Sequence, residues 1–201
     1  MGAKLVRKAC YYAIDLGQVM ENMQLYYERA EIQQNVADAV SEDVIAEAIQ
    51  EKDGNVAVLF SDLGQAYKIL GKDKEVIFWT DKSLKIDIEI FGEAHQKVAI
   101  RYNNLGEDYR ALGEYSKAID YYEKALKIDR EIFGEAHQKV AIYYNNLGGA
   151  YYSLENYSKA IDYGEKALEI FMRFLGNDHP STKTVYNNLM GYKKKVNKKK
   201  A

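Results

Sequence analysis

Between residues 98 and 112 the apolar positions fall at Val98, Tyr102, Leu105, Tyr109 and Leu112. Steps of three and four place them on one face of a helix. Gly113 interrupts the stripe and is free to take a left-handed turn. A second stripe follows at Tyr115, Ala118, Ile119, Tyr122, Ala125 and Leu126, runs on through Ile128 to Ile132, and stops at Gly134. Gly92 and Gly176 stand at the corresponding places before and after it. The pattern predicts a pair of helices of about 18 residues, or about 27 Å, each.

The pair is written twice in nearly the same letters. Residues 85–126 and 127–168 agree at 33 of 42 positions. A fixed period of this size implies one supersecondary unit stacked on copies of itself. Gly106, Ala118 and Ala125 are small and let backbones approach, while Leu105 and Tyr109 fill the space beside them. Leu63-Gly64, Tyr67 and Gly71 open an earlier, weaker unit, with Val76, Thr80 and Ser83 where the later copies have alanine or tyrosine. Tyr186-Asn187-Asn188-Leu189 opens a fourth unit that carries Met190 in the glycine column and then runs into lysines. The expected organisation is an array over residues 53–195, in units 53–94, 95–136 and 137–178 with a capping helix at 179–195, and a basic tail at 196–201. Residues 1–52 read as a divergent helical segment. There, Leu16-Gly17 marks a candidate degenerate repeat, and Ser41-Glu42-Asp43 predicts the N-cap of a short helix through Gln50.

The residues Leu105-Gly106, Tyr109, Gly113, Tyr115, Ala118, Tyr122 and Ala125 resemble a tetratricopeptide repeat. The 42-residue period, the Asn-Asn-Leu start and the linkers Gly-Glu-Ala-His and Gly-Asn-Asp-His-Pro are similar to the longer variant found in kinesin light chains. The resemblance implies an all-α fold, a right-handed solenoid of antiparallel helix pairs. It also implies a module that holds protein partners in a concave groove and needs no cofactor.

Composition agrees with such a fold. Hydrophobic residues make up 47% of the chain and proline occurs once, at Pro180. The 18 tyrosines recur mostly at helical spacing and are read as packing between helices. Net charge is −2, but the stretch 191–201 carries six lysines and no acid, which leaves residues 1–190 at −8. An acidic body argues against nucleic acid as a partner. Cys10 is the single cysteine, which excludes an intrachain disulfide. The first residues lack the apolar core of a signal peptide, no apolar run has the length of a membrane span, and Val6 stands where a myristoylation signal needs Ser or Thr. The expectation is a cytoplasmic protein with no membrane partner.

Candidate chemistry is sparse. His95, His137 and His179 recur every 42 residues, but one imidazole per linker, with no second ligand beside it, is not a metal site. They are expected to order the starts of helices. No nucleophile-and-base set and no glycine-rich phosphate loop is present, so the chain is expected to be no enzyme.

The polar feature that needs a reason is the recurrence of asparagine inside helices, at Asn103-Asn104, Asn145-Asn146 and Asn187-Asn188. One reading is a hydrogen bond between helices that fixes the stack. The other is a ladder of amides along an inner wall, each able to donate to and accept from a peptide backbone. In peptide-holding tetratricopeptide domains the asparagine before the Leu-Gly pair is the clamp, and that column here is Asn104, Asn146 and Asn188. The nine differences between the twin copies add to this. Five lie on the first helix, and three of those continue the asparagine stripe: Glu107, Arg110 and Ala111 become Gly149, Tyr152 and Ser153. Gly149 is expected to open a gap beside Tyr152 that admits an anchor, with Arg110 and Lys68 as basic groove residues.

These observations lead to an adaptor that binds a linear peptide or partner helix, as a monomer or weak homodimer. The alternatives are a self-associating structural module and a regulatory segment of a larger enzyme or signalling protein.

Overall fold

The computed structural model describes residues 38–200 and, before them, residues 28, 31, 32 and 34–36. Leu16-Gly17 lies outside the described residues. From residue 42 onward helices follow one another without a strand: α1 (Glu42–Gln50), α2 (Asn55–Ile69), α3 (Asp73–Phe91), α4 (Gln96–Ala111), α5 (Tyr115–Phe133), α6 (Gln138–Ser153), α7 (Tyr157–Leu175) and α8 (Pro180–Lys200). Each predicted helix pair is present. The capping helix continues through Lys200, past the expected end at residue 195, so the lysine run belongs to α8. Among the described residues no helix is long and apolar enough to cross a membrane.

The turns follow from the glycines. Gly71, Gly92, Gly113, Gly134 and Gly176 all have φ between 67° and 83°. That region costs a side chain but not glycine. Glu155 replaces the glycine of Gly113 and is held at φ 58°.

The helix starts are set by the linkers. Nδ1 of His95 accepts from the backbone of Lys97 (3.1 Å), that of His137 from Lys139 (3.2 Å) and that of His179 from Ser181 (3.2 Å). Each imidazole satisfies an amide that the first turn leaves without a partner. His95 stacks on Phe91 with centroids 4.7 Å apart, and His137 on Phe133 at 4.4 Å. The recurrent histidines are therefore N-caps, and His95 and His137 also staple the end of the preceding helix. Ser41 caps α1, its Oγ accepting from Val44 at 3.4 Å.

The chain forms two compact units, Met1–Arg101 and Tyr102–Ala201. In the first, α1 does not stand apart as a separate segment. Val44 and Ala48 pack into one core with Val56, Leu59, Phe60, Leu63, Trp79, Ile86 and Ile90. Ser83, small where alanine was expected, donates from Oγ to the carbonyl of Ala57 at 2.6 Å, so its hydroxyl is buried with a partner. In the second unit α5 packs on α6, α6 on α7 and α7 on α8. Leu105, Ala118, Tyr122, Ala125, Leu147, Ala160, Ala167 and Leu189 are all buried there. Tyr109 lies flat on Tyr121 (5.4 Å, 5°) and Tyr151 on Tyr163 (5.6 Å, 9°), the same contact made twice, 42 residues apart. These tyrosines pack between paired helices, as the spacing predicts.

Candidate binding groove

The residues of the second unit predicted to line the groove lie on α4, α6 and α8. Asn103, Asn104, Glu107, Asn145, Asn146, Gly149, Tyr152 and Asn188 are half-buried, and Arg110, Ser153 and Asn187 are exposed. Lys68 is half-buried on α2, in the first unit.

The asparagines form a diagonal chain. Nδ2 of Asn146 donates to Oδ1 of Asn103 at 2.9 Å, and Nδ2 of Asn188 donates to Oδ1 of Asn145 at 3.2 Å. The second asparagine of each unit thus binds the first asparagine of the unit before it, which explains why the residues come in adjacent pairs. Asn103 turns its own Nδ2 to Oε1 of Glu107 at 3.0 Å. The ladder fixes the stack. It also leaves the Oδ1 atoms of Asn146 and Asn188 as acceptors, and Asn104 makes no side-chain hydrogen bond to a described residue.

The opening expected beside Gly149 is bordered by a ring that the sequence did not point to. Tyr192, from the last helix, packs its ring against Tyr152 with centroids 4.9 Å apart. Its hydroxyl lies 3.9 Å from the place a Cβ on Gly149 would take. Tyr192 is only 6% exposed. Burial pushes its phenol pKa up, the neighbouring Tyr152 adds to that, and the Arg110 guanidinium opposes it. Sequence reasoning missed Tyr192 because its column holds Asp108 and Ala150 in the twin copies. The available signal was the change of Tyr122 to Gly164, a lost ring with nothing local to replace it.

One further difference between the copies is structural. Arg101 is half-buried, with Nε 2.7 Å from Oδ2 of Asp87 and a second nitrogen 2.7 Å from Oγ of Ser61. Its counterpart Tyr143 donates its hydroxyl to Oδ2 of Asp129 at 2.9 Å. Burial raises the pKa of both Asp129 and Tyr143; for Asp129 the Tyr143 hydrogen bond, Lys139 and His137 oppose the rise. The face these residues share is therefore polar and mixed in charge: Glu107 and Arg110 on α4, Tyr152 and Ser153 on α6, and amide oxygens between them.

A sequence profile of the tetratricopeptide repeat matches residues 79–131, 98–172 and 139–189, together more than half of the chain. A comparison with curated proteins finds no match. Among solved structures, the chain is similar to a Podosopora anserina putative kinesin light chain with nearly identical TPR-like repeats. The identity is 17%, with 100% of this chain and 90% of that one covered, at a TM-score of 0.73. It is also similar to BtubC (BKLC) from P. vanneervenii, at 26% identity over 98% and 80% of the two chains and a TM-score of 0.67. The N-terminal domain of stress-induced protein-1 from C. elegans is 20% identical over 67% of this chain and 95% of its own, at a TM-score of 0.51.

Proposed function

Because the chain belongs to the tetratricopeptide repeat family, with repeats like those of kinesin light chains, we propose that it is a non-enzymatic adaptor that holds a linear peptide or partner helix. The ligand would lie along the inner face of α4, α6 and α8. The observation that carries this reading is Asn104: a half-buried amide inside a helix, with no side-chain hydrogen bond to a described residue, beside an asparagine ladder that still offers acceptor oxygens. A half-buried amide open to solvent on one side can exchange water for a peptide backbone. Arg110, exposed about two turns beyond Asn103 on α4, suits an acidic group on the ligand. With Glu107 also present, the groove selects by pattern rather than by net charge. A cytoplasmic setting agrees with a chain that has a single cysteine.

The test is a peptide-display selection on the whole chain, followed by affinity measurements on Asn104→Ala and Arg110→Glu. Asn104→Ala is expected to leave the melting temperature unchanged and to weaken the selected peptide by about five- to tenfold, the worth of one or two hydrogen bonds. Equal affinity for the parent and both variants would place the peptide elsewhere and overturn the groove.

A further inference from the structure

Helices α4 and α6 each have one face covered by the helix that follows. Tyr102 of α4 meets Tyr121 of α5 with centroids 6.1 Å apart, and Tyr144 of α6 meets Tyr163 of α7 at 5.8 Å. The glycine one turn on lies under the same helix: a Cβ on Gly106 would stand 2.5 Å from the Tyr122 ring, and one on Gly148 would stand 3.3 Å from the carbonyl of Ala160. The same columns on α8 are Tyr186 and Met190. They are 50% and 37% exposed. Beside them is a recess of about 620 Å³ lined by Leu168 and Met172 of α7 and by Asn177, Thr182, Lys183, Tyr186 and Asn187. Met172 is itself 45% exposed.

Position on the helix and charge together define what would cover this face. Lys183, Tyr186, Met190 and Lys194 follow at steps of three and four, so an apolar stripe is bracketed by lysines. Helix α8 carries seven lysines and no acidic residue. Lys183 reaches Asp178 at 3.1 Å and Lys193 reaches Glu165 at 2.7 Å, while Lys194 and Lys195 are exposed with no acidic partner among the described residues. A second α8 would bring lysine against lysine. Met190, in a glycine column, holds any incoming helix farther out than α7 lies from α6, unless a small residue faces it.

We propose that the outer face of α8, with the recess between α7 and α8, docks an acidic amphipathic helix of a partner protein. This site borders the peptide groove and shares Asn187 with it. An aliphatic or aromatic side chain enters the recess over Leu168 and Met172, a glycine or alanine sits opposite Met190, and carboxylates meet Lys194 and Lys193. The arrangement repeats, between two proteins, the contact that α7 makes with α6 inside this one.

The probe follows from that equivalence. It is a fluorescent peptide with the sequence 157–175, which places Gly164 opposite Met190, carrying Tyr157→Glu and Lys159→Glu to face Lys194 and Lys193. Anisotropy titration of the full chain should give saturable binding. Met190→Glu and Lys194→Glu, both changes at partly or fully exposed positions, should each weaken it by about tenfold or more, with helicity and melting temperature retained. Raised salt should weaken binding to the parent chain. Equal binding by a scrambled peptide, or binding unchanged in both variants, overturns the proposal. Two other results would also overturn it: a concentration-dependent dimer that Met190→Glu abolishes, since a second copy then covers the face, or capture by phosphatidylserine vesicles with no peptide binding.

Discussion

The ring of Tyr192 lies 3.5 Å from the position a Cβ would occupy on Gly164, and equally close to that of Gly148. In the preceding repeat the corresponding space over Gly106 is filled by Tyr122, from the second helix of the same pair. One aromatic ring fills one hole in each repeat, but it is delivered by different helices. The copy that lost its own tyrosine at residue 164 takes one from α8.

That exchange makes a coupled pair. Tyr192→Ala should cost about 3 kcal/mol, because it empties a buried site between two glycines. Gly164→Tyr alone should also destabilise, since its Cβ would stand 3.2 Å from Leu189 and its ring would meet Tyr192. The double variant should be more stable than the sum of the two losses allows. Chemical denaturation of all four proteins measures the coupling, and strict additivity would refute the exchange.

A second column changes chemistry along the array. Asp87 faces Arg101, Asp129 faces Tyr143, and 42 residues on the pair is Phe171 and Val185, with Asp87, Asp129, Phe171 and Val185 all buried. Asp129 lacks a cation of the kind Asp87 has, and its pKa is raised above the ordinary 3.8, first by burial. The folded chain therefore holds this proton more tightly than the unfolded chain. The contribution to stability is fully present below the ordinary value and falls as pH rises through the folded one. Asp129→Asn removes that titration. The stability of the variant relative to the parent should rise as pH increases from below 3.8 through the folded value, as followed by denaturation at several pH values. A flat difference would count against the assignment.

The turn at Glu155 invites a stabilising change. A left-handed backbone costs a residue with a Cβ about 1 kcal/mol or more relative to glycine. Glu155→Gly should raise the stability of the second unit by up to about 1 kcal/mol, reduced by the greater freedom of glycine in the unfolded chain. Gly113→Glu should do the reverse in the repeat before. An unchanged or lowered melting temperature for Glu155→Gly would show that the turn is not strained.

The helices, their glycine stops, their histidine caps and the 42-residue repeat were legible in the sequence. Each depends on residues a few places apart, and the near-identity of two copies displayed those residues twice. The asparagine pairs were legible as a recurrence with two readings. Only the tertiary structure shows that the second amide of one repeat binds the first amide of the one before, a partner 43 residues away. The same holds for Gly149 and Gly164. A glycine in the sequence records that a side chain is missing, but not what occupies the space. Here the occupant is Tyr192, from another helix, and only the packing of α7 and α8 decides it.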